Sequence, residues 1–137
     1  CLLIMIAHSD KNTPLKSYNI SKSLGVSDSY LKKIIRQLVV AGLITSEAGK
    51  NGGVSLKHSP NKITLLDIFE AIEGKEPFAR ATGLVERVFL NEQKEVKEQK
   101  QAMILEAFNQ AEKSYKEKLK TITLQMAMID HEQKLNR

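Results

Sequence analysis

The residue types that could do chemistry here are bases and small hydroxyls: Ser27, Ser29, Lys32, Lys33 and Arg36, followed by Lys50 and Asn51. Lysine and arginine at this density suit phosphate oxygens, and an arginine can also grip a guanine edge through two parallel N–H bonds. They fall within residues 11–62, where nine Lys and Arg stand against Asp28 and Glu47, a balance of +7 in a chain of net charge +5. The rest of the chain therefore sums to −2. Charge concentrated in this way suggests a local polyanion site. A solvated face would give the same count, so spacing has to decide.

Spacing places these bases on one element. Leu15 to Ser23 suits a short helix with Leu15, Ile20 and Leu24 inward, and Gly25 supplies a turn of positive φ. Ser27 is a good N-cap with Asp28 in the first turn, and the next helix runs to about Val40 and stops at Gly42. Leu31, Ile34, Ile35 and Leu38 form its buried stripe. At about 100° per residue, Ser29, Lys33 and Arg36 land on the opposite face, with Lys32 at its edge. Tyr30 is read as a packing residue. The pattern is a helix-turn-helix.

After Gly42 the period changes. Leu43 to Glu47 and Val54 to Lys57 read as short strands around Gly49-Lys50-Asn51-Gly52-Gly53, with Asn-Gly as the hairpin signal. Such a wing would set Lys50 and Asn51 beside the backbone or minor groove of a duplex. Thr64 caps a further helix through Ile72, with Leu65, Ile68, Phe69 and Ile72 inward and Glu73-Gly74 closing it.

The order of Ser27-Asp28-Ser29-Tyr30-Leu31-Lys32-Lys33-Ile34, Ala41-Gly42-Leu43-Ile44, Gly49-Lys50-Asn51-Gly52-Gly53-Val54 and Asp67-Ile68-Phe69-Glu70-Ala71-Ile72-Glu73-Gly74 resembles the Rrf-two family of winged helix-turn-helix regulators. The resemblance is dense over 15–74 and looser over 100–130. It implies a recognition helix at about 28–41, a wing at about 45–57 and a long C-terminal helix that builds a homodimer. Three places depart from the family pattern. Cluster-bearing members carry three cysteines between the helix after the wing and the dimer helix, and this chain has none from Gly74 to Met103. Ala48 stands where an arginine often precedes the wing glycine, which weakens minor-groove reading, and Val54 replaces a frequent aromatic.

The C-terminal part has its own periodicity. Ile104, Phe108, Ala111, Tyr115, Leu119 and Ile122 are spaced 4, 3, 4, 4 and 3, a stripe on a long helix suited to a dimer partner. Glu95, Lys97, Glu112, Lys116 and Glu117 keep the other face soluble. Thr123 caps a last helix with Leu124, Met128 and Ile129. The expected division is a DNA-binding domain at 1–74, a connector at 75–100 and dimerisation helices at 101–134. The fold class is mostly α with a small β wing.

Other chemistry is thin. His8, His58 and His131 lack ligand spacing, and Asp67, Glu70 and Glu73 have ordinary solvated spacing. There is no phosphate loop, nucleophile elbow or Cys/His pair, so no enzyme is expected. Cys1, the single cysteine, excludes an internal disulfide and cannot hold an iron–sulfur cluster; it reads as a packing residue of a first helix that begins before this sequence. No apolar run approaches the roughly 18 residues of a membrane span, and residues 1–7 lack the flanks of a signal peptide, so a cytoplasmic location is expected. Composition and resemblance together imply a homodimeric repressor that binds near-palindromic double-stranded DNA without a cofactor, answering a small molecule or protein. The alternative is a winged-helix scaffold that holds another protein.

Overall fold

Leucine and isoleucine at helical spacing in three successive segments (Leu3 and Ile6; Ile20; Leu31, Ile35 and Leu38) give one shared core. The computed structural model describes residues 2–9, 14–49, 52–83, 87–88, 90–91 and 93–128. Its elements are α1 (Leu2–His8), α2 (Ser17–Leu24), α3 (Asp28–Val40), β1 (Ile44–Ser46), β2 (Val54–Leu56), a 3-10 turn (Pro60–Lys62), α4 (Leu65–Glu73) and α5 (Lys94–Lys120). The chain divides into two units, residues 1–74 with 119–137, and residues 75–118.

In the first unit, local chemistry sets the helix ends. Leu15 lies outside α2, which starts at Ser17 and ends at Gly25 in the left-handed region, φ 64°. The Ser27 hydroxyl accepts the Tyr30 N–H at 3.3 Å and so caps α3. At the far end, Gly42 (φ 74°) lets the Leu43 N–H reach Leu38 O at 3.0 Å and its own N–H reach Val39 O at 2.9 Å. These are the two bonds that close a helix through a left-handed glycine. Leu31, Ile35 and Leu38 are buried beneath α3.

The strands pair antiparallel, Ile44 with Leu56 and Ser46 with Val54. The Asn-Gly turn expected from the sequence falls on Lys50 and Asn51, outside the described residues. Before it, Gly49 has a positive φ of 107°. Gly52 and Gly53 serve close approach. A Cβ on Gly52 would sit 2.2 Å from Glu47 O, and one on Gly53 would sit 2.7 Å from Leu15 O. That approach lets the Val54 N–H donate to Leu15 O at 2.9 Å, tying the base of the wing to the chain entering α2.

Thr64 and Asp67 cap α4 reciprocally: the Asp67 N–H donates to Thr64 Oγ1 at 3.1 Å and the Thr64 N–H to Asp67 Oδ2 at 2.8 Å. Leu65, Ile68, Phe69 and Ile72 are half-buried. The end of the expected 101–134 segment, from Leu119 on, groups with the first unit. Thr123 bridges to Thr64, Ile122 O accepts the Leu65 N–H at 2.8 Å, and Leu124 is buried in the first unit's core. The physical reason is an unpaired N–H at the start of α4, which needs an acceptor that the helix itself cannot supply. The Met126 N–H donates to Thr123 Oγ1, as expected of a cap, and Ile129 and His131 lie outside the described residues.

In the second unit, residues 75–83 are not helical and fasten to α5. The Phe78 N–H donates to Glu112 Oε2 at 3.0 Å, the Phe78 and Tyr115 rings lie 5.5 Å apart, and Lys116 pairs with Glu112 at 2.7 Å. Arg80 pairs with Glu76. Glu112, counted in the sequence among the solubilising charges, is in fact buried. The Lys116 hydrogen bond, then the Phe78 N–H, hold its carboxyl below the usual glutamate range.

Two outcomes are expected. Gly25→Ala meets no neighbour and should cost only backbone strain, about 1–2 kcal/mol. Gly53→Ala must instead push the Pro14–Leu15 backbone away, and should lower the urea midpoint further than Gly25→Ala does. An equal or smaller loss would remove the close approach as the reason for glycine. Because the Glu112 value is lowered on folding, its contribution is full above the ordinary glutamate pKa and is lost as pH falls through the lowered value. Glu112→Gln should therefore flatten the pH dependence of thermal unfolding on the acid side and leave its slope unchanged above neutrality. An acid limb identical to the parent's would exclude Glu112 as the fastening.

Candidate nucleic-acid interface

The buried stripe of α3 fixes what its other side presents. With Leu31 and Leu38 each 2% exposed, Ser29, Lys33 and Arg36 point away from the core and Lys32 lies at the edge. All four are exposed. Among the described residues no carboxylate pairs with Lys32, Lys33 or Arg36, so their charge is available to a polyanion. Ser27 Oγ is engaged by the cap and lies 3.2 Å from Ser29 Oγ. Ser27 is thus first a cap, with its remaining hydrogen-bonding capacity facing solvent.

The orientation of α3 is set from behind. Gln37 Nε2 donates to Ile72 O of α4 at 3.0 Å, which locks the rotation of α3 about its axis. Lys16 and Lys22 beside α2, and Lys57 after β2, are also exposed. Lys50 and Asn51, the expected wing contacts, lie outside the described residues.

Tyr30 corrects the sequence reading. It was expected to pack, yet it is 56% exposed, and Tyr18 of α2 is 65% exposed. The helical wheel does not decide it: Tyr30 lies about 100° from Leu31 but only about 40° from Ile34, at the margin of the buried stripe. Both phenols join the exposed polar surface of the helix pair. Asp67, weighed in the sequence as one of three acids on a helix face, is the reciprocal cap of α4.

Of the expected dimer stripe, Ile104 and Phe108 are each 50% exposed and Tyr115 is 40% exposed, with Ala111 exposed as well. Leu119 and Ile122 are half-buried and belong to the first unit. The stripe is therefore divided between the two units, and its first four members form the open part.

A family model described as "Rrf2: Iron-dependent Transcriptional regulator" matches residues 1–130. The chain belongs to the Rrf2 family. It is 41% identical over 85 residues to the protein named as HTH-type transcriptional regulator YffB of Lactococcus lactis, covering 62% of this chain and 54% of YffB. The chain spans little more than half the length of the curated relatives it matches first. Among solved structures, CymR, the global cysteine regulator of Bacillus subtilis, is 25% identical with a TM-score of 0.61, over 93% of this chain and 87% of that one. IscR of T. potens is 25% identical with a TM-score of 0.66, over 94% and 79%. The mostly helical fold with a two-stranded wing is the fold of these regulators, and the family consists of transcription regulators, not enzymes. Among the described residues, no helix is long and apolar enough to cross a membrane.

The family description names iron, and the donor set of this chain does not fit a chain-borne cluster. Such clusters are held mainly by cysteine thiolates, and Cys1 is the single cysteine. Among the described residues, no three His, Cys, Asp or Glu gather as a metal site.

Arg36→Ala should weaken operator binding by about 1–3 kcal/mol if Arg36 grips a base edge, and should relax specificity at one position of the site. Lys33→Ala should weaken all sequences about equally. Competition binding with a panel of single-base operator variants separates the two, and parental affinity in Arg36→Ala would remove it from the interface.

Proposed function

We propose that this chain is the DNA-binding and dimerising part of a transcriptional repressor that reads a near-palindromic operator as a homodimer. The observation that carries this reading is the exposed Ser29, Lys33 and Arg36 face of α3, set opposite its buried stripe and free of partner carboxylates among the described residues. In this reading α3 enters the major groove and Ser29, Lys32, Lys33 and Arg36 meet phosphates and base edges. Ser27 stands at the entry of the helix, and Lys50 and Asn51 reach the flanking backbone from the wing. Ile104, Phe108, Ala111 and Tyr115 pack on a second copy, with Leu119 and Ile122 continuing the stripe. Two α3 helices then lie about 34 Å apart, one turn of duplex. The exposure of two large apolar side chains one helical turn apart supports a partner on that face.

Regulation runs without an iron–sulfur cluster in this proposal, because the thiolates are missing, and through a small-molecule or protein effector. The protein acts in the cytoplasm, where the chromosome is.

One experiment tests the reading. Operator binding is titrated against salt with a metal chelator present, beside sedimentation of the parent and the Ile104→Glu/Phe108→Glu variant. With about 6–10 phosphate contacts, affinity should fall roughly 10³–10⁵-fold between 50 and 200 mM salt. The variant should sediment as a folded monomer and lose most operator affinity, because its half-sites no longer add. Salt-independent binding would favour a protein-holding scaffold. A parent that is monomeric at micromolar concentration would sink the dimer.

A further inference from the structure

One groove of the first unit is used by nothing described so far. It lies between α1 and the segment leaving β2 and encloses about 520 Å³, within the range of small-molecule sites. Its walls are of two kinds. Ile6 and Ala7 of α1 give it an apolar side. Facing them, Ser55, Lys57, His58 and Ser59 offer two hydroxyls, an ammonium and an imidazole within five consecutive positions.

No carboxylate lines the groove among the described residues, and none of these four side chains has a hydrogen-bond or ion-pair partner there. Cationic and hydroxyl donors recognise an anion, and the opposite wall suits hydrocarbon. The location separates this groove from the DNA-facing loop. The Lys57 N–H bonds to Leu43 O at 3.0 Å, closing the strand ladder at the end away from residues 47–53. Lys57 Nζ lies near Gly42, 3.9 Å from where a Cβ would stand.

We propose that this groove binds a small organic acid, with its carboxylate on Lys57, His58 and the serine hydroxyls and its hydrocarbon body against Ile6 and Ala7. The proposal rests on the operator-binding reading and names its effector class. An acid seated there bridges α1 to β2, the strand that Val54 ties to Leu15. An acid that favours the β2 position used on DNA raises operator affinity.

The test is an amide chemical-shift titration of the full chain with benzoate, butyrate, inorganic phosphate and benzyl alcohol, run beside operator binding. Benzoate or butyrate should give saturable shifts at Ile6, Ala7 and residues 55–59, and should tighten operator binding about fivefold. His58→Gln should lose that response about tenfold or more and bind operator as the parent does without acid. No saturation by either acid at millimolar concentration overturns the site. Equal binding of phosphate or benzyl alcohol overturns the organic-acid chemistry. Saturable binding with unchanged operator affinity overturns the coupling. Operator binding without any acid is read in the same series, so failure of the DNA-binding reading shows separately from failure of the groove.

Discussion

The rest of the molecule depends on the seating of α3 in its core. Leu31, Ile35 and Leu38 are buried together with Ile20, Leu43 and Ile44, and each such side chain stabilises the folded state by about 1.5–3 kcal/mol. Because a helix is rigid about its axis, burying this stripe turns Ser29, Lys33 and Arg36 outward. The Gln37 bond to Ile72 then fixes the rotation that hydrophobic packing alone leaves loose. The exposed face of α3 is specified by what lies behind it.

The wing depends on a second constraint, close backbone approach. Gly53 stands where a Cβ would collide with Leu15 O, and the Val54 amide uses that space to bond the same oxygen. The short sheet is thereby joined to the segment entering the helix-turn-helix. A two-stranded hairpin is marginal by itself, so this attachment, together with burial of Ile44 and Val54, is what holds it.

The second unit depends on a contact distant in sequence. Residues 75–83 lie along α5, fastened by Phe78 to Glu112 and Tyr115. Glu112 is buried because it serves both the Phe78 amide and the Lys116 ammonium, which together offset the loss of water. In the sequence it is one more acid on a Glu/Lys-rich helix face. Charge spacing cannot reveal a partner that arrives from residue 78.

The sequence alone determined the helix-turn-helix, because its signals are local: Gly25, the Ser27 cap, the Leu31–Ile35–Leu38 stripe and the Gly42 stop all act within a turn or two of helix. The Thr64 cap and the outward face of α3 were legible for the same reason. Only the tertiary structure decided the features that rest on contacts distant in sequence. It set Gly52 and Gly53 in close approach to Glu47 and Leu15, a demand for glycine that the hairpin signal did not contain. It left Tyr30 more than half exposed although its type suggested packing. It returned Ile122 and Leu124 to the first unit, because the start of α4 needs an acceptor and the core has room for one more leucine. Local periodicity fixes which face of an element is apolar, and the fold alone fixes which other element meets it.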